Sequence, residues 1–377
     1  MDHLPPLIKA ESINALMESI SMPKPLSIIS PKVSACYHGI YMITIPFTNG
    51  KSELVLRVSG SHIPKIKTEN EAAIMSWVSK NSAIPIPEVI AYDSSTNNPI
   101  NHEYIILSRA RGETLSEIYQ SLGNEKMISI IDQLIDILHQ LHAVDWNYIG
   151  GLKFNETGEI VPGPVLEENF WYPPDIQQFW PPGETMSTLN IEGPYPTYVD
   201  YISAHIQRYI HGIEVHEKLA FMRDTLSRLK ALVNALANNA EKLNNVKLKL
   251  AHKDLHFSNI LYDQSSSRIT AILDWEFSGI VPFTRWNPTR AFLWNARDDA
   301  DSGAEKERLL SIFKERCKER NVEILEDAQY SSTLQEAMQT AANFLRAIVE
   351  VVPRGQKGDL VRSWKDILLK QLEVFGV

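Results

Sequence analysis

His252-Lys253-Asp254-Leu255-His256-Phe257-Ser258-Asn259-Ile260-Leu261, followed after a short interval by Ile272-Leu273-Asp274-Trp275-Glu276, is the stretch around which this chain is organised. An apolar alternating run, residues 246–251, precedes it. Two strand-like runs follow, 259–262 and 269–274, joined by Asp263-Gln264-Ser265-Ser266-Ser267-Arg268, whose aspartate and serines favour a turn. The reading is strand, polar loop, hairpin. In an antiparallel hairpin the first residue of one strand lies near the last residue of the other. Asn259 and Asp274 are then neighbours, offset from direct opposition by about two residues, or roughly 7 Å. Asp254 enters the same end through the preceding loop. Two carboxylates and an amide therefore converge on one small volume.

A hard cation such as magnesium takes oxygen ligands, commonly one or two carboxylates plus substrate phosphates. Phosphoryl transfer needs that metal and a further carboxylate to orient the attacking hydroxyl. Asp254 fits the base, and Asn259 and Asp274 fit the metal. Two blander readings compete. His252, Asp254 and His256 alternate, so they could form the ligand set of a metal hydrolase on one strand face. They could also be a polar loop that satisfies its own backbone. Asn259 and Asp274 downstream weigh against the hydrolase and leave both histidines as loop-bonding residues.

The form His-x-Asp-Leu-His-x-x-Asn-Ile-Leu … Asp-Trp-Glu resembles the aminoglycoside phosphotransferase family of small-molecule kinases. That resemblance implies an α+β, protein-kinase-like fold in two lobes. Residues 1–110 would form the nucleotide-binding lobe around an antiparallel sheet, and 111–377 the larger, mainly helical lobe. It also implies ATP and magnesium, and transfer of the γ-phosphate to a hydroxyl of a small molecule. Protein kinases carry Asp-Phe-Gly where this chain has Asp274-Trp275-Glu276, and no Ala-Pro-Glu element follows, which disfavours a protein acceptor.

The nucleotide site is expected in the first third. Residues 40–47 and 53–58 read as strands around the turn Thr48-Asn49-Gly50-Lys51. Leu54, Leu56 and Val58 share one face; Val55 and Arg57 share the other. A kinase needs a cation here for the α- and β-phosphates. The family usually has lysine, so Arg57 keeps the charge with a different geometry; the alternative is an ordinary exposed arginine. Residues 68–80 read as a helix on which Glu71 would pair with Arg57. The competing role for Glu71 is a capping box with Thr68. The phosphate-covering segment, Ala35 through Ile40, has a single glycine and lacks the Gly-rich signature of protein kinases. A strand at 104–107 leads to Ser108-Arg109-Ala110, where backbone groups of Ser108 and Ala110 would bond adenine.

Beyond the hinge, 126–145 is an amphipathic helix, and 200–245 is helical in two pieces that break near Gly212. Three further helices, at 304–320, 331–351 and 360–375, close the lobe. Residues 150–200 form an irregular insert rich in proline and aromatics, read either as a lid or as a loop stapled down by its rings. Its Trp171, Tyr172, Trp180 and Tyr195, with Phe283 and Trp286, predict an apolar or aromatic acceptor and not a polycation.

At 377 residues the chain is long for one core and suits two lobes. A net charge of −9 gives no bulk attraction to nucleic acid or anionic membrane. Cys36 and Cys317 make no disulfide framework, which suits a reducing compartment. The N-terminus lacks the apolar core of a signal peptide, and no run approaches the ~18 apolar residues of a span. A cytoplasmic protein with no nucleic-acid or membrane partner is expected. The weak phosphate segment and Arg57 keep open a non-catalytic, nucleotide-binding or scaffold role; the set Asp254, Asn259 and Asp274 argues for catalysis, with another ATP-dependent reaction on the same site as the remaining alternative.

Overall fold

Leu54, Leu56 and Val58 are buried while Val55 and Arg57 between them are not, so the alternation read from sequence is the one the backbone adopts. The computed structural model describes residues 4–31, 37–48, 50–285, 300–356 and 358–377. Its first sheet contains β1 (Ser27–Ile29), β2 (His38–Phe47), β3 (Gly50–Ser59), β4 (Val89–Asp93) and β5 (Tyr104–Ser108), antiparallel in the order β1-β2-β3-β5-β4. Phe47 pairs with Gly50, which makes the tight β2–β3 turn, and Ile40 pairs with Arg57. Helix α1 (Ala10–Ser19) lays Ile13, Leu16 and Met17 on the face of Leu54, Leu56 and Val58. Those three side chains have the i, i+3, i+4 spacing of one helical stripe, and burying each contributes about 1.5–3 kcal/mol. Helix α2 (Ile66–Asn81) covers the other face, packing Ala72, Met75 and Val78 in one core with Ile105 and Leu107.

Residues 109–112 carry the chain into a second, mainly helical region. Its strands are β6 (Glu113–Thr114), β7 (Gly151–Phe154), β8 (Ile160–Gly163), β9 (Leu248–Ala251), β10 (Ile260–Asp263), β11 (Arg268–Ile272) and β12 (Gly279–Pro282). Its long helices are α3 (Asn124–His142), α4 (Tyr198–Val215), α5 (Leu226–Asn238), α6 (Ala300–Glu319), α7 (Thr333–Val351) and α8 (Gly358–Val374). No helix among the described residues is long and apolar enough to cross a membrane. The architecture is the expected α+β, kinase-like one.

Two expectations change. Gly212 does not break the helix; α4 runs on to Val215 and turns at His216 into a 3₁₀ stretch, Glu217–Thr225. Glycine is there for packing, since a Cβ at 212 would lie 3.0 Å from the Trp180 ring. The insert is also more ordered than its composition suggests. It contains the β7–β8 hairpin and a helix at Pro173–Phe179, and it buries Phe170, Trp171, Tyr172 and Trp180 in a core shared with α4, α5, α7 and α8. The rings staple the insert down. Trp171 and Trp180 stack edge to face at 5.1 Å, and Arg354 covers Trp171 at 3.9 Å.

Two strand pairs place the chemistry. β9 pairs with β12, Ala251 opposite Gly279, and β10 pairs with β11, Ile260 opposite Ile272. The loop at 252–259 therefore joins the same two pairs as the loop at 273–278. The two must run side by side.

Candidate active site

The adjacent loops are laced by hydrogen bonds. His252 Nε2 donates to the Leu273 carbonyl at 2.8 Å, and its Nδ1 accepts from the Asp254 amide at 3.3 Å. Ser278 Oγ donates to the His252 carbonyl at 3.0 Å, and the Leu273 amide to the Asn259 carbonyl at 2.8 Å. Asn259 thus lies opposite Leu273, one residue from Asp274 and not the expected two. The reason is a bulge between Leu261 and Tyr262, which shifts the register of the hairpin by one. Both His252 nitrogens are engaged within the loops. His256 Nδ1 accepts from the Ser258 amide and its Nε2 faces Asp254 Oδ1 at 3.3 Å. The histidines therefore hold the loop, and the hydrolase reading loses its ligands.

Asn259 Nδ2 donates to the Asp254 carbonyl at 2.9 Å and to its Oδ2 at 3.0 Å. The amide's oxygen is the atom this leaves for a hard cation. Asp254 is 48% exposed. Burial pushes its carboxyl up, but hydrogen bonds from His256 and Asn259 outweigh that and hold it below the usual value. Lys253 and Asp274, on either side of this chemistry, both adopt left-handed backbone, at φ 62° and 65°. For residues other than glycine that conformation is strained by about 1–3 kcal/mol. Sequence patterning gave no sign of it.

Arg57 reaches the loop at 273–278 from β3. One guanidinium nitrogen donates to Glu71 and the other to Asp274 Oδ1 at 2.8 Å. Burial disfavours the charge, but Glu71 and then Asp274 raise its pKa above the ordinary value. The planar fork lets one side chain bridge two carboxylates. Glu71 is therefore not a capping residue. Helix α2 already starts at Ile66, and its first turn is held by Glu103, which accepts from the Lys65 amide at 2.7 Å and from Thr68 Oγ1 at 2.8 Å.

Behind Arg57 lies a buried group that sequence reasoning missed. Lys67 Nζ is 3.2 Å from Glu276 Oε2, and His38 Nε2 approaches the same oxygen at 3.5 Å. Burial pushes the Glu276 carboxyl up; Lys67 pulls against it and Asp274 adds to it. His38 is held well below its usual value by burial, then by Arg57 and Lys67. His38, Glu71 and Glu276 bring ligand atoms within 4.8 Å of one another, but Arg57 and Lys67 already supply the positive charge a metal would bring. The signal that could have found Lys67 is its spacing, four residues before Glu71 on one helical face. Asn70, on the same helix, donates to the carbonyls of Glu276 at 3.1 Å and Ser278 at 2.9 Å, and accepts from the Leu152 amide at 3.0 Å.

At the hinge, the Ser108 amide donates to the Glu88 carbonyl at 2.9 Å and its hydroxyl accepts from the Glu88 amide at 2.8 Å. Ser108 would meet a base through its carbonyl; Ala110 is partly exposed beside it. Tyr37 and His38 of the phosphate-covering segment are described; Ala35 and Cys36 lie outside the described residues, as does Trp286.

A cavity of about 710 Å³ opens between the two regions, bordered by Tyr37, His62, Glu168, Asp175, Arg346 and Glu350 among others. Its walls are mainly polar. Of the aromatic residues expected at an acceptor, Tyr172 borders it, whereas Trp171, Trp180 and Phe283 are core residues. The apolar character of the insert is used for folding, which removes the ground for expecting an apolar acceptor. The insert that borders the cavity also touches the loop at 252–259. Lys253 Nζ donates to the Leu166 carbonyl at 2.7 Å, and burial lowers its pKa to about 8. The next residue, Glu167, takes both Arg285 nitrogens at 2.7 and 2.9 Å.

A sequence profile of the phosphotransferase enzyme family matches residues 45–285. Among curated proteins, the chain is similar to a subtelomeric hrmA-associated cluster protein of Aspergillus fumigatus, at 25% identity over 263 residues, 57% of this chain and 50% of that protein. It is also similar to altered inheritance of mitochondria protein 9, mitochondrial, of Lachancea thermotolerans, at 23% identity over 355 residues, 78% of this chain and 56% of that one. The chain spans about half the length of the curated relatives it matches. Among solved structures, an aminoglycoside phosphotransferase in ternary complex with streptomycin and ATP has a TM-score of 0.53, covering 98% of this chain and 99% of that one at 13% identity. That likeness is one of fold.

Proposed function

The chain belongs to the phosphotransferase enzyme family, and from that premise we propose that it transfers the γ-phosphate of ATP to a hydroxyl of a small molecule. The observation that carries the reading is one juxtaposition: Asp254 bonded to Asn259, and Asp274 bonded to Arg57, on two loops tied to each other. The donor set fits magnesium, because it offers a carboxylate and an amide oxygen with no soft ligand. Held by Asp274 and Asn259, the ion would neutralise charge on the phosphates. Asp254 orients the acceptor hydroxyl and accepts its proton on a carboxylate oxygen. Its depressed pKa keeps it ionised and suits it to orienting the nucleophile before strong abstraction. Arg57 supplies positive charge to the α- and β-phosphates, with one terminal guanidinium nitrogen held by Glu71. Backbone groups of Ser108 and Ala110 take the base.

The acceptor is proposed to be polar and hydroxylated, bound in the cavity beside Glu168, Asp175 and Glu350. Those carboxylates and the nearby Arg346 and Arg354 suit hydroxyls and charged groups better than an apolar ring. The test is thermal unfolding with ATP, with and without magnesium. A ligand at a hundred times its Kd stabilises by about 2.7 kcal/mol. A rise in Tm requiring both supports the reading, and its absence removes it. Binding without turnover on any hydroxylated acceptor would favour the non-catalytic role.

A further inference from the structure

Lys67 is the residue whose surroundings its neighbours do not explain. It is 1% exposed, and its partner Glu276 is 3% exposed. Neither Lys67 Nζ nor Glu276 Oε2 has a hydrogen-bond partner among the described residues, although the two atoms are 3.2 Å apart. The approach is close enough for an ion pair but misaligned for a hydrogen bond. Arg57 Nη2 lies 4.0 Å from that same oxygen. One carboxylate oxygen thus holds two full cations and the His38 ring. A buried ammonium is costly unless paired and hydrogen-bonded, and here only the first condition holds.

Its position tells what anion would complete it. Lys67 and Glu71 leave α2 on one face, four residues apart. Its ammonium sits 5.1 Å from the centre of the Tyr37 ring, in the segment expected to cover the phosphates. It therefore lies between that segment and the carboxylates of the metal loop, beside the guanidinium that faces the nucleotide.

We propose that Lys67 is a second phosphate-binding cation of the nucleotide site, parked on Glu276 until a polyphosphate arrives. The inference rests on the nucleotide reading above. A polyphosphate entering beside Arg57 offers the ammonium oxygens it can bond in good geometry, which Glu276 does not. The pair Arg57 and Lys67 would then share the charge that the usual single lysine carries.

Calorimetric titration with ATP, ADP and adenosine tests it, on wild type, Lys67→Arg, Lys67→Met and the double variant Lys67→Met/Glu276→Gln. The double variant leaves no uncompensated buried charge, so it guards against a folding defect in the single one. The expected result is that removing Lys67 weakens ATP and ADP by roughly ten- to a hundredfold, the worth of one charge-assisted bond. Adenosine should be unaffected and Lys67→Arg should restore most of the loss. If wild type binds ATP and the double variant binds it equally well, or loses adenosine in parallel, Lys67 is only a structural ion pair and the proposal is overturned. If wild type binds none of the three ligands, the nucleotide reading itself fails, and this one with it.

Discussion

The neighbours of Asp254, His256 first, lower its pKa against the effect of burial, and that makes its pH behaviour predictable. His256 and Asn259 hold the carboxyl below its ordinary value against the effect of burial. A depressed base stays ionised above its own pKa and is lost only as pH falls through it. The acid limb of turnover should therefore lie below the ordinary aspartate value of about 3.9. His256→Ala removes the largest favourable contact, so the limb should move to higher pH, read from kcat followed down to about pH 3. An unmoved limb would show that His256 does not act on Asp254. Arg57 gives a second prediction. Its fork bridges Glu71 and Asp274, which a lysine's single ammonium cannot do in the same geometry. Arg57→Ala should raise KM for ATP most, and Arg57→Lys should fall between it and wild type. Equal effects from the two would mean that charge is not what Arg57 supplies. At this scale the convergence of Asp254, Asn259 and Asp274 was readable in the sequence, because the three sit at fixed points of one loop and one hairpin. Lys67, Glu276 and the left-handed backbone of Lys253 were not, because burial and strain are set by elements remote in sequence.

Helix α2 is the element that ties the first sheet to the rest. It holds Arg57 through Glu71, Glu276 through Lys67, and both loop carbonyls through Asn70. Asn70→Ala would leave the Leu152 amide and the Glu276 and Ser278 carbonyls without that partner. Each buried group orphaned this way costs about 1–3 kcal/mol. The expected outcome is a clear fall in the urea midpoint with an unchanged m-value, and a rise in KM for ATP. A midpoint within error of wild type would mean the clamp carries no load. Local sequence could not have placed the start of this helix. Thr68 looked like a cap, but the first turn is satisfied by Glu103, which arrives from the approach to β5. Gly212 misled for the same kind of reason: a residue that usually ends helices is here the one small enough to admit Trp180.

For the whole molecule, buried histidines couple folding to pH. Burial lowers the pKa of His252, whose Nδ1 accepts and whose Nε2 donates between the two loops. The unfolded chain takes up a proton on this residue below about pH 6.5, while the folded chain resists until lower pH. The unfolded state then binds more protons, so this residue's contribution to stability is present above pH 6.5 and is lost as pH falls toward the folded value. Glu276 acts with the opposite sign. Its raised value favours the folded state at low pH, and that contribution is lost as pH rises from the ordinary carboxyl range through the folded value. The comparison of slopes separates them. His252→Asn should be less stable at pH 7, yet lose less stability than wild type between pH 7 and 5; equal slopes would rule out His252 as the source. The two-lobed architecture was legible from strand alternation, helix periodicity and one motif. The fate of the insert was not, since aromatic composition does not say whether rings face a ligand or each other.

The central claim is phosphoryl transfer to a small molecule by a base at Asp254. The most direct measurement incubates the protein with magnesium, ATP labelled at the γ-phosphate and a deproteinised metabolite extract, and follows the label by chromatography. With wild type, label should move from ATP into a small-molecule fraction. Asp254→Asn should slow this by about 10²–10⁴, while keeping its fold and its affinity for ATP. Label that stays in ATP with wild type, or transfer at the wild-type rate by Asp254→Asn, would contradict it.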